Sequence, residues 1–373
     1  MLLLCNMNEF LDKLVKDLGD EHTTIVADKK SSAEFSGTID TGSYVLNAVL
    51  SGSLFGGVPN NKITVFAGET ATGKTFFVLG VIDQFLKDNP KGGVIYFDTE
   101  SAVTDEMMKV RGIDTQRVVK SEPDTIQKFR HTALSVIDNY LEQDEDVRRP
   151  FMMVLDSLGQ LSSTKEIEDT AKGEETRDMT KAQVLKATFR VLNLKLAKAG
   201  IPLLVCNHVY DVVGSYNPQK EMSGGSGLKY SASTIVNLTK RKERIDTEVI
   251  GNIIKCKTEK SRLSKENKVV EVLLTYERGL DRYYGLVDLA VDAGLFKKVA
   301  TRIELPDGTK QYAKTIYANP EKYFTEELLV ALEEYAKKEY QYGLGNDDIV
   351  SEEVVDETEE IVEKLDLIDS EGE

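Results

Sequence analysis

The hydrophobic and polar positions along the chain follow two repeating patterns, which predict its main elements. Continuous apolar runs lie at residues 62–67, 93–97, 151–155 and 202–206. Between them, apolar residues recur at helical spacing at residues 74–86, 122–142 and 179–199. Unbroken apolar runs favour parallel strands covered on both faces, and the helices then form the crossovers. The pattern predicts an α/β fold with a mostly parallel sheet flanked by helices.

The region before this core, residues 1–36, contains one predicted amphipathic helix and a polar linker. Apolar residues recur at helical spacing at residues 8–18, and Gly19 follows them. A lone helix can dock its apolar stripe on a partner or pack it on its own core. The sequence leaves both options open.

The later apolar stretches carry more charge and predict a different arrangement. We expect them to form an antiparallel extension at one edge of the sheet, and they lie around residues 234–238, 249–256 and 269–275. The predicted core then spans residues 37–285. A smaller α+β region is predicted at residues 286–345.

The net charge of −16 is concentrated at the end of the chain. Residues 346–373 contain 13 acidic residues and one lysine, a charge of −12, and the other 345 residues carry only −4. Such a block predicts a solvated, disordered acidic tail. The acidic composition therefore does not exclude a nucleic-acid binder, because it is not a property of the predicted core.

The cysteines and the lengths of the apolar runs argue against a metal site and a membrane span. The three cysteines include no pair at metal-ligand spacing, and Cys206 and Cys256 lie in apolar stretches that predict buried thiols. We expect no structural metal. Since no apolar run approaches the ~18 residues of a membrane span, we expect a cytoplasmic protein without membrane contact.

Residues 68–75 match the phosphate-binding pattern G-x-x-x-x-G-K-[ST] in full. They follow a predicted strand and open a predicted helix, the context that this loop requires. Its N–H groups would surround phosphate oxygens, Lys74 would reach the β- and γ-phosphates, and the Thr75 hydroxyl would hold Mg²⁺. The sequence therefore predicts an ATP and Mg²⁺ site formed by Gly68, Glu69, Thr70, Ala71, Thr72, Gly73, Lys74 and Thr75.

Two acidic residues after other strands complete this predicted site. Asp156 ends a buried strand and can accept a hydrogen bond from a magnesium-bound water. Glu100 follows the strand that ends at Asp98. Because the carboxyl ends of parallel strands meet at one edge, Glu100 can orient a water for attack on the γ-phosphate. We expect a local structural role for Asp98.

Two long polar segments are predicted at the same edge, at about residues 161–179 and 210–227. Structureless stretches of this length in a compact domain are usually functional or mobile. Lys186 and Arg190 lie four residues apart on the next helix and share a face. DNA binding and ordinary solvated charges are both open interpretations of these residues.

The ordered set of motifs resembles one family, the RecA-type recombinases, and within it the phage UvsX recombinases most of all. The set is the P-loop, Phe97-Asp-Thr-Glu100, Leu155-Asp-Ser157, Asn207-His208 and Gly224-Gly-Ser-Gly-Leu-Lys-Tyr-Ser-Ala-Ser233. Residues 41–47 and 284–291 are similar to the family's entry into and exit from its core. The resemblance covers about residues 37–300, and residues 178–181 and 259–262 are similar to the UvsX branch.

This resemblance implies an ATP-dependent recombination protein. Members form helical filaments on single-stranded DNA, pair it with homologous duplex DNA and exchange strands, with ATP bound between subunits. The helix in residues 1–36 would dock on the next subunit. A single-strand-binding protein, a loading mediator and the cytoplasm of a host cell are further expectations from the phage members.

The resemblance also implies roles for individual residues. Glu100 matches the catalytic glutamate, and His208 stands where RecA has a glutamine that senses the γ-phosphate. A histidine that merely satisfies the core is the alternative. Lys260 and Arg262 match two cations that reach the neighbouring subunit's phosphates. Base contacts are expected from Tyr284 and Gly285, with Met107 in place of a stacking tyrosine, and DNA contacts from Lys186, Arg190, Tyr216, Gly224 and Gly225.

Two other functions share parts of this pattern. A hexameric RecA-like helicase has the P-loop and both acids, but it normally carries a substantial helical domain before the core. A recombination mediator or recombinase paralogue binds ATP and DNA without strand exchange. Such paralogues often lack the catalytic glutamate or the trans-acting cations, and this chain has candidates for both.

Overall fold

The computed structural model describes residues 2–19, 23–26, 37–174, 178–211, 220–245 and 248–342. Its strands, in chain order, are β1 Thr38–Ile39, β2 Val58–Pro59, β3 Ile63–Gly68, β4 Gly93–Asp98, β5 Val118–Ser121, β6 Phe151–Asp156, β7 Leu203–Asp211, β8 Lys220–Met222, β9 Thr234–Ile245, β10 Glu248–Lys260, β11 Val269–Thr275, β12 Gly279–Leu280, β13 Lys297–Val299, β14 Arg302–Glu304 and β15 Lys310–Gln311. Its helices are α1 Leu2–Leu18, α2 Tyr44–Ser51, α3 Lys74–Asp88, α4 Asp105–Lys109, α5 Ile126–Leu141, α6 Thr164–Ala171, α7 Lys181–Ala199, α8 Ser226–Ser231, α9 Leu286–Asp292, α10 Ala313–Ala318, α11 Pro320–Tyr323 and α12 Glu326–Tyr340.

One large sheet organises the described residues, in the order β12-β11-β10-β9-β3-β7-β6-β4-β5, with β8 paired to β7. The strands from β9 to β5 are parallel, and β10, β11 and β12 continue the sheet in antiparallel pairing. The parallel register places Gly68 beside His208 and Asp98 beside Asp156. The carboxyl ends of β3, β4, β6 and β7 therefore meet at one edge.

Successive residues of the parallel strands point to opposite faces, and each face is buried. Phe66, Tyr96 and Cys206 belong to a core cluster that includes residues of α2 and α3. Their neighbours Val65 and Phe97 belong to a second cluster, with residues of α5 and α7. This two-sided burial explains why the strands read as unbroken apolar runs. The predicted fold class is confirmed.

The C-terminal residues contribute to the first of these clusters. Leu286, Leu332 and Tyr340 are buried in it together with residues of α2. The small sheet β13-β14-β15 lies between α9 and α10 in sequence. Across the part of the chain that the structure describes, no helix is both long and apolar enough to cross a membrane.

One prediction from the pattern was wrong in detail, and a second was incomplete. Residues 161–179 were expected to lack regular structure, but they contain α6, which begins with a capping box between Ser163 and Glu166. The S-x-x-E signal for this helix is present in the sequence. Residues 234–238 were expected in the antiparallel extension. Residues 235–238 do pair antiparallel with β10, but residues 234–238 also pair in parallel with β3 on their other side. The antiparallel part of the sheet therefore begins with the β9–β10 pair.

The N-terminal helix is longer than the pattern predicts, since α1 begins at Leu2 rather than near residue 8. Phe10, Leu14 and Leu18 of its apolar stripe are exposed. Of the two options that the sequence left open, packing of this stripe on the chain's own core is not observed among the described residues.

Candidate functional site

The phosphate-binding loop runs from the end of β3 to the start of α3. Gly73 precedes the helix with φ 94°, a conformation that glycine adopts without strain. A Cβ on Gly73 would lie 2.5 Å from Leu274 Cδ2, and one on Gly68 would lie 2.9 Å from the Leu238 carbonyl oxygen. Gly68 is therefore required by close packing against backbone, and Gly73 by its left-handed backbone conformation. No side chain caps α3, so its first N–H groups are available to an anion.

Lys74 is buried at this edge and lies over the loop. Its Nζ donates to the carbonyl oxygens of Gly68 and Glu69 at 3.0 and 2.9 Å. Burial lowers the pKa of Lys74, although Asp156 and Glu100 lie close enough to oppose this effect. Its ammonium group is therefore held over the P-loop.

Thr75 and Asp156 are brought together as the sequence predicts. The Thr75 hydroxyl donates to Asp156 Oδ2 at 2.7 Å, and the Tyr96 hydroxyl donates to the same oxygen at 2.7 Å. Burial, followed by the nearby Asp156 charge, raises the pKa of Tyr96 well above its usual value, so that the phenol remains a donor. This carboxylate is fixed in place by two hydroxyl groups.

The donor set fits a magnesium–nucleotide complex. A hydroxyl and a carboxylate stand beside an uncapped helix N-terminus, and Mg²⁺ prefers oxygen ligands, of which phosphates and waters supply several. Among the described residues, no cluster of three His, Cys, Asp or Glu side chains could hold a metal ion by itself. A site completed by phosphate oxygens agrees with this finding.

Glu100 lies next to Lys74 and His208 at the same edge. Its Oε1 accepts hydrogen bonds from Ser157 Oγ at 2.6 Å and from His208 Nε2 at 3.0 Å. Burial acts to raise the pKa of Glu100, but these two hydrogen-bond donors and the positive charge of Lys74 outweigh it, so the pKa lies below its usual value. The carboxylate is therefore ionised at neutral pH and can accept a proton.

His208 bridges the lysine and the glutamate. Its Nδ1 lies 3.5 Å from Lys74 Nζ, and its Nε2 faces Glu100. Because an ammonium group only donates, Nδ1 is the acceptor and Nε2 carries the hydrogen that Glu100 accepts. The histidine therefore connects the P-loop lysine to the candidate base.

Asp98 has the structural role that the sequence predicts. Its carboxylate accepts from the backbone N–H groups of Glu100, Ala102 and Val103 at 3.2, 3.3 and 3.1 Å. Lys120 forms an ion pair with it at 2.9 Å. These contacts fix the turn that presents Glu100.

Known proteins match this chain along most of its length. The family model described as the RecA N-terminal domain matches residues 6–281. The chain belongs to the RecA family. The resemblance inferred from the order of the motifs is thereby confirmed.

Several members of this family illustrate the similarity. The recombination and repair protein of Enterobacteria phage T4 is 28% identical over 254 residues, which cover 68% of this chain and 63% of the T4 protein. Protein RecA of Rhizobium leguminosarum bv. viciae is 31% identical over 270 residues, 70% of this chain and 71% of that protein. RecA of Deinococcus radiodurans is 28% identical over 271 residues, covering 70% of this chain and 69% of the relative. A crystal structure of the RadB recombinase aligns with a TM-score of 0.48 at 22% identity, covering 66% of this chain and 99% of that structure.

The two cations that the family resemblance assigns to a neighbour's phosphates lie where β10 ends. Lys260 Nζ donates to the carbonyl oxygens of Lys229 and Tyr230 at 2.8 and 3.1 Å. Burial and then the adjacent charge of Arg262 lower the pKa of Lys260. Arg262 is exposed, and within the described ranges its guanidinium has no hydrogen bond or ion pair. Its charge is available to another molecule.

The predicted base contacts Tyr284 and Gly285 lie at the start of α9. Tyr284 stacks on Tyr317 with ring centroids 5.1 Å apart, and the Gly285 N–H donates to the Tyr317 hydroxyl at 3.1 Å. Gly285 has φ 93°, and a Cβ there would lie 2.8 Å from the Glu271 carbonyl oxygen. Met107 lies on α4 and is partly exposed. Their roles in nucleotide binding stay predictions.

The predicted DNA contacts form one surface around α7 and α8. Lys186 and Arg190 are exposed on α7, while Gly224 and Gly225 precede α8. α8 lies directly on α7, because a Cβ on Gly227 would come within 2.7 Å of Lys186 Cα. Tyr216, the remaining candidate, lies outside the described residues.

Sequence reasoning missed four residues that contact the site. Tyr96 and Ser157 hold the two acids, as described above. The other two are lysines: Lys220 of β8 forms an ion pair with Glu69, and Lys240 of β9 donates to the Ala71 carbonyl oxygen at 2.6 Å. A tyrosine inside an unbroken apolar strand signals a buried hydroxyl that needs a partner. The lysines gave no signal, because only the strand pairing brings them to the loop.

Proposed function

We propose that this chain is an ATP-dependent homologous recombination protein. It forms filaments on single-stranded DNA, pairs it with a homologous duplex, promotes strand exchange, and hydrolyses ATP in a DNA-stimulated reaction. The observation that carries the proposal is the convergence of Lys74, Thr75, Asp156 and Glu100 at one sheet edge in a member of the RecA family. The names of its relatives, RecA and a phage recombination and repair protein, support the same function.

In the proposed reaction, the P-loop N–H groups and Lys74 bind the phosphates of ATP. Thr75 and Asp156 would hold Mg²⁺, whose charge neutralises phosphate oxygens when it is bound. Glu100, ionised because of its donors, orients a water and accepts its proton. His208, which links Lys74 to Glu100, would report the γ-phosphate to the segment that follows β7.

Assembly is part of this proposal because two features of the chain have no partner among the described residues. The apolar stripe of α1 is exposed, and the guanidinium of Arg262 is unpaired among the described residues. A neighbouring subunit would accept the stripe and receive Lys260 and Arg262 at its own ATP, where cations stabilise the charge of the transition state. A contact of this head-to-tail kind propagates into a helical filament.

The DNA partner would contact the α7–α8 surface through Lys186 and Arg190. Such contacts to phosphates add a sequence-independent, salt-dependent affinity. A single-strand-binding protein and a loading mediator are further proposed partners. The proposed site of action is the cytoplasm of the cell that contains the DNA. Retention of Glu100 and of both cations favours a recombinase over a mediator.

A mixing experiment tests the proposal. Lys74→Ala protein lacks a working P-loop but keeps its cations, and Lys260→Ala/Arg262→Ala protein has the reverse defect. Since a trans-acting arginine changes the rate by ~10³–10⁵ in related reactions, each protein should be nearly inactive alone. Their mixture on single-stranded DNA should regain measurable ATPase activity.

Strand-exchange activity of the wild-type chain is measured alongside, as the direct assay of function. If the Lys260→Ala/Arg262→Ala protein keeps most of its ATPase activity alone, the trans-acting role is wrong. If wild-type protein hydrolyses ATP but never pairs homologous DNA, the mediator function replaces recombination.

A further inference from the structure

The loop between β10 and β11 begins with the two candidate trans-acting cations. We name residues 260–268 the cation loop. Ser261 stands between Lys260 and Arg262, and its side chain is buried. Its Oγ accepts from the N–H groups of Leu263 and Ser264 at 3.2 and 3.0 Å. The position of Arg262, which has no side-chain partner among the described residues, therefore depends on how the backbone of this loop is held.

One side of the cation loop is attached to α2. Ser264 is fully buried, and its hydroxyl donates to the Val49 carbonyl oxygen at 2.7 Å. The same hydroxyl lies 2.9 Å from Ser261 Oγ. A chain of two hydroxyls thus connects α2 to the residue between the cations.

The other side of the loop is attached to residues 338–342, which we name the C-terminal strap. The Lys265 N–H donates to the Tyr340 carbonyl oxygen at 2.6 Å, and Lys265 Nζ donates to the Lys338 carbonyl oxygen at 2.8 Å. The Tyr342 hydroxyl donates to the carbonyl oxygen of Ser261 at 3.3 Å. The strap therefore contacts the backbone between the two cations directly.

The strap is itself fixed to the core. Tyr340 is buried in the cluster that includes α2. Gln341 packs against Gly52, where a Cβ would lie within 2.1 Å of Gln341 Cγ, and Gly52 has φ 77°. Gln341 also pairs with Ser264 in an antiparallel bridge. The end of α12 and the cation loop are thus held on the same support.

We propose that the C-terminal strap is a positioning element for Lys260 and Arg262. This inference rests on the proposed trans-acting role of those cations and gives residues 338–342 a part in it. The strap touches neither the P-loop residues nor Glu100 in the contacts described above. It acts through the cation loop, and therefore on the ATP of the neighbouring subunit rather than on its own.

This placement predicts that the strap is needed in only one of the two subunits at an interface. The chain is ended after Tyr340, which removes residues 341–373, and the matched control ends after residue 345, which removes only the acidic tail. Each truncation is made once in the Lys74→Ala protein, which supplies cations, and once in the Lys260→Ala/Arg262→Ala protein, which supplies the P-loop. Each truncated protein is mixed with the full-length form of the other.

DNA-stimulated ATPase activity of the mixtures is the readout. When the cation-supplying subunit ends after Tyr340, activity should fall at least about tenfold relative to its control truncation, since the Tyr342 hydrogen bond to Ser261 and the pairing of Gln341 with Ser264 are lost together. When the P-loop-supplying subunit ends after Tyr340, activity should match its control. Tyr342→Phe, which removes one hydroxyl, should give the same asymmetry with a fall of about threefold to tenfold.

Each other result overturns a distinct part of the inference. Equal loss in both arrangements means that the strap only supports folding, and no loss in either means that the cation loop holds its position without it. If full-length Lys74→Ala and Lys260→Ala/Arg262→Ala proteins fail to complement each other, the trans-acting role itself is wrong and the strap's role falls with it. Retained activity in the mixture whose P-loop-supplying subunit ends after Tyr340 shows that the truncated chain folds and assembles.

Discussion

At the scale of single residues, the candidate base is defined by its neighbours as much as by its own type. Glu100 accepts hydrogen bonds from Ser157 and His208, two residues from different strands or strand ends. These donors stabilise the ionised form and lower the pKa of Glu100, in opposition to its burial. The acid limb of the pH–rate profile should therefore lie at a lower pH than that of an ordinary glutamate.

Replacement of Ser157 tests this arrangement. Ser157→Ala removes a donor to the charged form, so the pKa of Glu100 should rise, and activity should be lost at a higher pH on acidification than in the wild type. The measurement is kcat for DNA-stimulated ATP hydrolysis as a function of pH. Glu100→Gln serves as the control, because it should bind ATP but turn over slowly at every pH. An unchanged acid limb in Ser157→Ala would show that this hydrogen bond does not govern the titration.

At the scale of elements, the contact between α7 and α8 brings two parts of the candidate DNA surface together. Lys186 and Arg190 lie on α7, and Gly224 and Gly225 precede α8 at the end of the polar segment 210–227. Gly227 lies against the backbone of Lys186, where a Cβ would be 2.7 Å from Cα and 2.9 Å from the backbone nitrogen. Backbone atoms cannot move aside as a flexible side chain can. The two helices approach this closely because residue 227 has no side chain.

Gly227→Ala should therefore separate the helices. Overpacking of this kind typically costs ~1–3 kcal/mol, which thermal or denaturant unfolding would measure. DNA affinity should fall as well, because Lys186 moves relative to Gly224 and Gly225. Ser226→Ala, an exposed neighbour on the same helix, is the control and should leave both stability and affinity close to wild type. If Gly227→Ala matches that control, the two helices do not need this close contact.

At the scale of the whole molecule, charge is divided between a nearly balanced body and an acidic end. Residues 346–373 carry −12 of the net −16, and they lie outside the described residues. The strap ends only a few residues before them. A segment with this charge would compete with DNA phosphates for basic surfaces.

Deletion of residues 346–373 should strengthen binding to single-stranded DNA and reduce its requirement for Mg²⁺. The measurement is affinity as a function of salt concentration, since phosphate contacts give a steep salt dependence. A chain in which acidic residues 352, 353, 356, 357, 359 and 360 are replaced by Gln or Asn controls for length. Identical salt curves for all three proteins would mean that the tail does not influence DNA binding.

The sequence by itself determined the fold class and located the candidate phosphate-binding loop. Residues 68–75 are contiguous in the sequence, and each buried strand is an unbroken apolar run. The P-loop and the strands can therefore both be recognised from local sequence. The acids Asp156 and Glu100 could be placed too, since the ends of parallel strands meet at one edge.

Only the tertiary structure decided which side chains meet at that edge. The partners of the acids (Tyr96 and Ser157), the contact of Lys240 with the P-loop and the contact of the strap with the cation loop all depend on pairings between residues 57 to 169 positions apart in the chain. Hydrophobic periodicity specifies which face of an element is buried but not which polar groups it will oppose. Strand register and helix packing fix those partners, because buried donors and acceptors must be satisfied once the chain is folded.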